Sequence, residues 1–200
     1  MRNPYAPPAA DVGHATGDTA ASSGEVEYAG FGRRVGSALL DVLIFLPISA
    51  GVAYLLQSSR VMYLVWEVPS LLLGIWFTVY LVVRYGGTPG KLLVGTRITL
   101  LDGQPVTYKA AWLRYLVDFA VSVLMAAALA ISAYHMTNQE FSAPGYLAHS
   151  QHLVAGAPRW YSLVTLLSGS WFVAKIITVL ASAKHGAAHD FVAGTVVVRT

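Results

Sequence analysis

The chain has 200 residues, of which 56% are hydrophobic and 12% charged, with a formal net charge of +3 and no cysteine. Its charged fraction is about half that of soluble globular proteins, which excludes an ordinary soluble domain. The lack of thiols excludes disulfides, thiolate metal sites and cysteine catalysis.

Residues 1–27 hold Pro4, Pro7, Pro8, several glycines and small polar side chains. They have no apolar core of the kind a signal peptide needs, and too little apolar surface to offset their chain entropy, so a disordered cytoplasmic tail is expected. Residues 28–200 read as one membrane domain. Four apolar blocks, about 37–56, 61–83, 113–134 and 160–181, are each long enough to cross a bilayer, which takes roughly 20 residues. Pro47 should kink the first span, since it lacks an N–H and clashes with the preceding turn. The first two spans are joined only by "QSSR", as in an antiparallel helical hairpin.

The segment between spans two and three is more structured. "RYGGTPGKLL" resembles a phosphate-binding loop, but Tyr85 stands where that loop needs glycine and Leu92 where it needs a hydroxyl for magnesium. Nucleotide binding is therefore not expected, and Gly86, Gly87 and Pro89 should turn the chain out of span two. In "GTRITLLDGQPVTY" the Asp102-Gly103 pair signals a β-hairpin. "GTVVVRT" near residue 200 reads as a further strand that joins it in a small cytoplasmic β element. Residues 135–159 form the longest connection on the opposite side, with His135, His149 and His152. They lack the further ligands that a metal site requires, so a solvated loop is expected.

Charge placement orients the spans. Of 13 Lys and Arg, Arg2, Arg33, Arg34, Arg84, Lys91, Arg97, Lys109, Arg114, Lys184 and Arg199 fall on one side. Only Arg60 and Arg159 fall on the other, and Lys175 lies within span four. By the positive-inside rule both termini face the cytoplasm. The expected fold is an all-α transmembrane four-helix bundle with that small β element. The basic balance follows from the same bias and calls for no nucleic-acid partner.

Three charges lie inside apolar runs: Asp41, about 6 Å into span one, Asp118, about 7 Å into span three, and Lys175, about 9 Å from the cytoplasmic end of span four. Each costs roughly 2.5–3.5 kcal/mol at a helix centre, so pairing or access to water is required. Convergence of the three supports two readings, a Lys175 bridge that locks the bundle or a cytoplasm-facing acidic cavity for a cation. Arg34 shares a face with Asp41 but sits about 10 Å away along the axis, too far for a direct pair. It should meet lipid phosphate or an acid on another segment. Glu67, beside Trp66, reads as an interfacial anchor.

"YAGFGRRVGSALLDVLI", "GGTPGKLLVGTRITLLDGQPVTYKAAWLRY" and "KHGAAHDFVAGTVVVRT", in that order, resemble the RDD family of bacterial membrane proteins over residues 28–200. The family's name-giving arginine and two aspartates map onto Arg34, Asp41 and Asp190. The resemblance implies a multi-pass protein of the bacterial inner (plasma) membrane, with transport of a ligand proposed and sodium–proton exchange associated with some members. Four spans and a long external connection depart from the usual pattern, and Asp118 and Lys175 lie outside the triad. Asp190 should either cap a turn or pair with Arg34 or Arg33. The candidate ligand-binding residues are thus Arg34, Asp41, Asp118, Lys175 and Asp190, with the bilayer and a monovalent cation as partners and a homo-oligomer as the expected assembly. No cofactor is called for. An enzyme is not expected, since no nucleophile–base pair is present and adjacent His189 and Asp190 cannot form a relay. Two functions stand: a cation or small-solute transporter, and a non-transporting membrane accessory or scaffold protein whose intramembrane charges are structural.

Overall fold

The computed structural model describes residues 27–142, 145–182 and 186–200. The expected tail, apart from Glu27, and Lys184 lie outside the described residues. Helix α1 spans Phe31–Leu56 and continues through Pro47. Ser49 Oγ donates to the Phe45 and Leu46 carbonyls beside that proline.

Helix α2, Arg60–Ile75, begins at Ser59, whose hydroxyl accepts from the Met62 N–H. It runs through a π-helical turn at Trp76–Tyr80 into α3, Leu81–Tyr85. Gly86 ends α3 in the left-handed conformation, φ +81°, which favours glycine because it has no Cβ. Thr88 then starts the short helix α4, Pro89–Leu93, with Pro89 at its first position. Strand β1, Thr96–Leu100, leads to α5, Tyr108–His135, whose N-cap Thr107 accepts from the Ala110 N–H.

Two short helices, α6 at Asn138–Phe141 and α7 at Tyr146–Ala155, precede α8, Trp160–Ala181. Helix α9, Ala188–Ala193, and strand β2, Thr195–Arg199, follow. Four helical stretches are long and apolar enough to cross a membrane: Phe31–Leu56, Arg60–Leu93, Tyr108–His135 and Trp160–Ala181. They contain the four blocks read from the sequence: the first three extend past their blocks, chiefly at the sheet end, and the fourth coincides with its block.

The sheet corrects the expected hairpin. β1 pairs antiparallel with β2, from Thr96 opposite Arg199 to Leu100 opposite Thr195. The Asp102-Gly103 turn does form, with Gly103 at φ +80° and the Leu100 N–H bonded to the Gln104 carbonyl at 2.9 Å. Its second arm is a single bridge between Thr99 and Pro105, since Pro105 has no N–H to extend the ladder. The segment before α1 joins the opposite edge, along β2, through Ala29 N–H to Val197 O, 2.9 Å, and Arg199 N–H to Glu27 O, 2.8 Å. Ala29, Val79, Ile98, Ala111, Tyr115 and Val197 form the apolar cluster beneath the sheet.

At the other end the expected solvated loop is also corrected. Phe141, Leu153, Ala133 and Met136 form a second apolar cluster. His149 is buried there, its Nδ1 2.7 Å from the Phe141 carbonyl, a geometry in which Nδ1 carries the proton and donates. Ser132 Oγ donates to the Leu153 carbonyl at 2.7 Å, and Arg60 to the Met136 carbonyl at 2.7 Å. Burying Phe141 and Leu153 against α5 offsets the cost of ordering the connection.

Candidate functional site

The named charges meet at the sheet end, in three groups rather than one. Asp190, in the first turn of α9, is 1% exposed and carries the densest of them. Its Oδ2 accepts from Arg34 Nη1 at 2.9 Å and from the Ala187 N–H at 2.9 Å. Its Oδ1 pairs with the Arg114 guanidinium and accepts from the Thr195 hydroxyl at 3.3 Å. The carboxylate therefore caps its own helix and ties it to α1 and α5 together, which answers both sequence expectations for this residue. Burial pushes its pKa up, but the positive charges of Arg114 and Arg34 and the Ala187 N–H outweigh that and bring it to about 2.

His189 lies beside this pair, Nε2 3.6 Å from Asp190 Oδ1. Burial, reinforced by the charge of Arg114 and only partly opposed by Asp190, lowers its pKa to about 3. The ring is therefore neutral near pH 7.

Asp41 belongs to a different group. Oδ1 accepts the Gly90 N–H at 2.7 Å and Oδ2 the Thr88 hydroxyl at 2.6 Å, with Lys91 Nζ 3.9 Å from Oδ2. Thr88 is the N-cap residue of α4, yet its side chain does not cap that helix. Asp41 does so from another segment, supplying the acceptor that a helix N-terminus lacks and a negative charge where the helix dipole favours one. The "TPGK" stretch set aside as a phosphate loop is thus the partner of the half-buried aspartate.

The third group is the pair Asp118–Lys175, Nζ to Oδ1 at 2.9 Å, joining α5 to α8 with side chains 38% and 24% exposed. The expected three-way convergence with Asp41 is corrected accordingly: Lys175 bonds Asp118, while Asp41 bonds the turn that leads into α4. Depth along each helix placed all three at one level, but depth does not fix which way a side chain points around the axis.

Thr88, Gly90 and Arg114 are the contacts that sequence reading missed. Thr-Pro-Gly is a recognisable helix start, with Pro at the first position, and it could have marked an anion-accepting N-terminus. Arg114, only 7% exposed, carried no signal beyond being a cation at the mouth of an apolar run. Among the described residues no three His, Asp or Glu side chains come together as metal ligands.

Among families, the model described as the RDD family matches residues 28–194. No curated protein and no solved structure matches the chain.

Proposed function

The chain belongs to the RDD family, and from that premise we propose that it is a multi-pass protein of the bacterial inner membrane with both termini in the cytoplasm. It acts there as a non-transporting accessory or scaffold, holding the two-stranded sheet and α9 as a rigid platform at the membrane surface. The observation that carries this reading is that each carboxylate of the cluster joins two or more chain segments. Asp190 links α9 to α1 and α5, Asp41 links α1 to α4, and Asp118 links α5 to α8. Asp41 and Asp190 have both oxygens committed to fixed donors, and such a carboxylate is poorly suited to exchanging a cation with water. The orientation rests on the asymmetric distribution of Lys and Arg.

The test is a flux assay in proteoliposomes containing the full chain. Sodium-driven proton movement and sodium uptake should match those of empty liposomes. Flux that depends on the protein and disappears with Asp41→Asn overturns the scaffold reading.

One observation favours a second reading, cation carriage. Asp41 lies at one end of an apolar groove of ≈ 710 Å³ along α1 and α2, lined by Phe45, Val52, Trp66, Trp76 and Phe77. A carboxylate at the end of such a passage is where a monovalent cation would pause if α4 moved away.

A further inference from the structure

Between α1 and α8, at the sheet end, lies a second cavity of ≈ 420 Å³. Its polar wall is made by Arg34, Lys91, Arg114, Lys175 and His189, and among the described residues no carboxylate lines it. Its other wall is apolar, with Leu39 from α1 and Phe172 and Ile176 from α8. Leu39 is 58% and Phe172 60% exposed, so the apolar wall is open to the side, where the hydrocarbon of a bilayer would lie. One end is therefore cationic and the other greasy.

The cations are incompletely matched. Arg34, Lys91, Arg114 and Lys175 have only Asp41, Asp118 and Asp190 among them, and Asp190 is shared by two arginines. Among the described residues one positive charge is left over. The donors are under-used as well. Lys175 Nζ has three N–H bonds to give and spends one, on Asp118. Among the described residues, Arg34 Nη2 is a buried donor without a hydrogen-bond partner. Buried polar atoms are nearly always satisfied in native proteins, so this orphan donor beside a cationic cavity calls for a group that brings oxygen acceptors and negative charge.

We propose that this cavity is a binding site for an anionic membrane phospholipid, with its phosphate against Lys175 and the Arg34 side of the cavity and an acyl chain along Leu39, Phe172 and Ile176. Phosphate oxygens satisfy arginine and lysine donors and supply the missing negative charge. Basic pockets between helices on the cytoplasmic side of membranes suit acidic headgroups for the same reason. A free inorganic anion would meet the charge but leave the apolar wall unfilled. A zwitterionic lipid would fill the wall but bring its own cation into a positive site. The proposal does not depend on the scaffold reading, because a lipid seated between α1 and α8 is compatible with either function.

The test is thermal unfolding of the full chain in detergent with added phosphatidylglycerol, phosphatidylcholine or inorganic phosphate, each shift read against the same protein in detergent alone. Saturating phosphatidylglycerol should raise the midpoint by about 5 °C, the scale expected for a ligand well above its dissociation constant. Phosphatidylcholine and inorganic phosphate should each give less than about a fifth of that shift. Ala38 also lines the cavity. Ala38→Glu places a carboxylate there and Ala38→Leu narrows it without charge, and each should remove most of the phosphatidylglycerol shift. If the glutamate variant does not fold, the leucine variant decides. Equal shifts from the two lipids, a full shift from inorganic phosphate alone, or an undiminished shift in the folded variants overturns the proposal.

Discussion

The carboxylate of Asp41 and the backbone N–H of Gly90 meet at 2.7 Å, so a side chain on the first span caps α4, the short helix that follows α3. The contact is close enough to dictate the residue at 90. A Cβ built there would stand 2.8 Å from both Cγ and N of Asp41 and would press on the Ser37 carbonyl oxygen. These are largely backbone atoms within a helix and cannot swing aside.

Gly90→Ala should accordingly destabilise the protein by about 1–3 kcal/mol, the usual range for forcing a methyl into packed structure. Gly36→Ala provides the contrast. Its Cβ would meet nothing within 4 Å, and it sits inside α1, where alanine is the better helix former. Its midpoint in detergent should equal or exceed that of the wild type, and equal losses for the two variants would show that Gly90 is not a contact point.

Asp41→Asn retains one carbonyl oxygen for the Gly90 N–H and loses the charge beside Lys91. Its expected cost is about 1 kcal/mol, while Asp41→Leu strands the Gly90 and Thr88 donors and should cost about 2–4 kcal/mol. Melting in sodium-containing and sodium-free buffers should give the same difference between wild type and Asn. A sodium-dependent stabilisation present only in the wild type supports the cation reading.

Asp118 and Lys175 form a self-contained pair at 2.9 Å. Replacing Lys175 alone by leucine leaves a carboxylate in apolar surroundings, so the double change Asp118→Leu with Lys175→Leu should be more stable than Lys175→Leu. A double-mutant cycle should show a coupling of about 1–3 kcal/mol, and simple additivity would mean that the contact contributes nothing.

His189 makes stability depend on pH. Its folded pKa, about 3, lies below the ordinary 6.5, because burial and Arg114 disfavour the imidazolium, with Lys175 and Lys91 adding to that and Asp190 opposing it. The unfolded chain thus binds the extra proton first. The contribution is complete above pH 6.5 and is lost as pH falls from there toward 3. Asp190, held near 2, acts lower: its contribution is present above about 3.8 and is lost as pH falls through 2. Between pH 6.5 and 4 the slope of midpoint against pH should be smaller in His189→Gln than in wild type, while a parallel slope would assign the dependence elsewhere.

Orientation is open to a direct check. Reporters placed after Arg199 and within α7 should report opposite sides, the first cytoplasmic, as the charge distribution requires. Two reporters on one side would overturn the four-span topology.

The spans were legible in the sequence because a bilayer imposes length and apolarity on each block independently of its neighbours. The β2 strand was legible for a similar local reason, its run of Val196, Val197 and Val198. Contacts between distant segments were not. Asp41 shows its depth in the sequence but not its partner, which proved to be a backbone N–H and a threonine hydroxyl rather than Lys175. The connection after α5 did carry an overlooked local sign. Thr137 and Glu140 form a capping box, in which the Glu140 N–H donates to the threonine hydroxyl and the glutamate accepts from the Thr137 N–H. Both partners of that motif lie within four consecutive residues, so Thr-x-x-Glu marks a helix start by spacing alone.

The pairing of β1 with β2 also sets a timetable for biogenesis. The ribosome makes β1 before the third and fourth spans and β2 only after both. At ordinary synthesis rates the interval is on the order of ten seconds. Throughout it β1 has an open edge, and Arg34 and Arg114 wait without the carboxylate of Asp190. A nascent chain that stalls before Asp190 keeps both defects in place, an exposed strand and two arginines lacking their counter-ion.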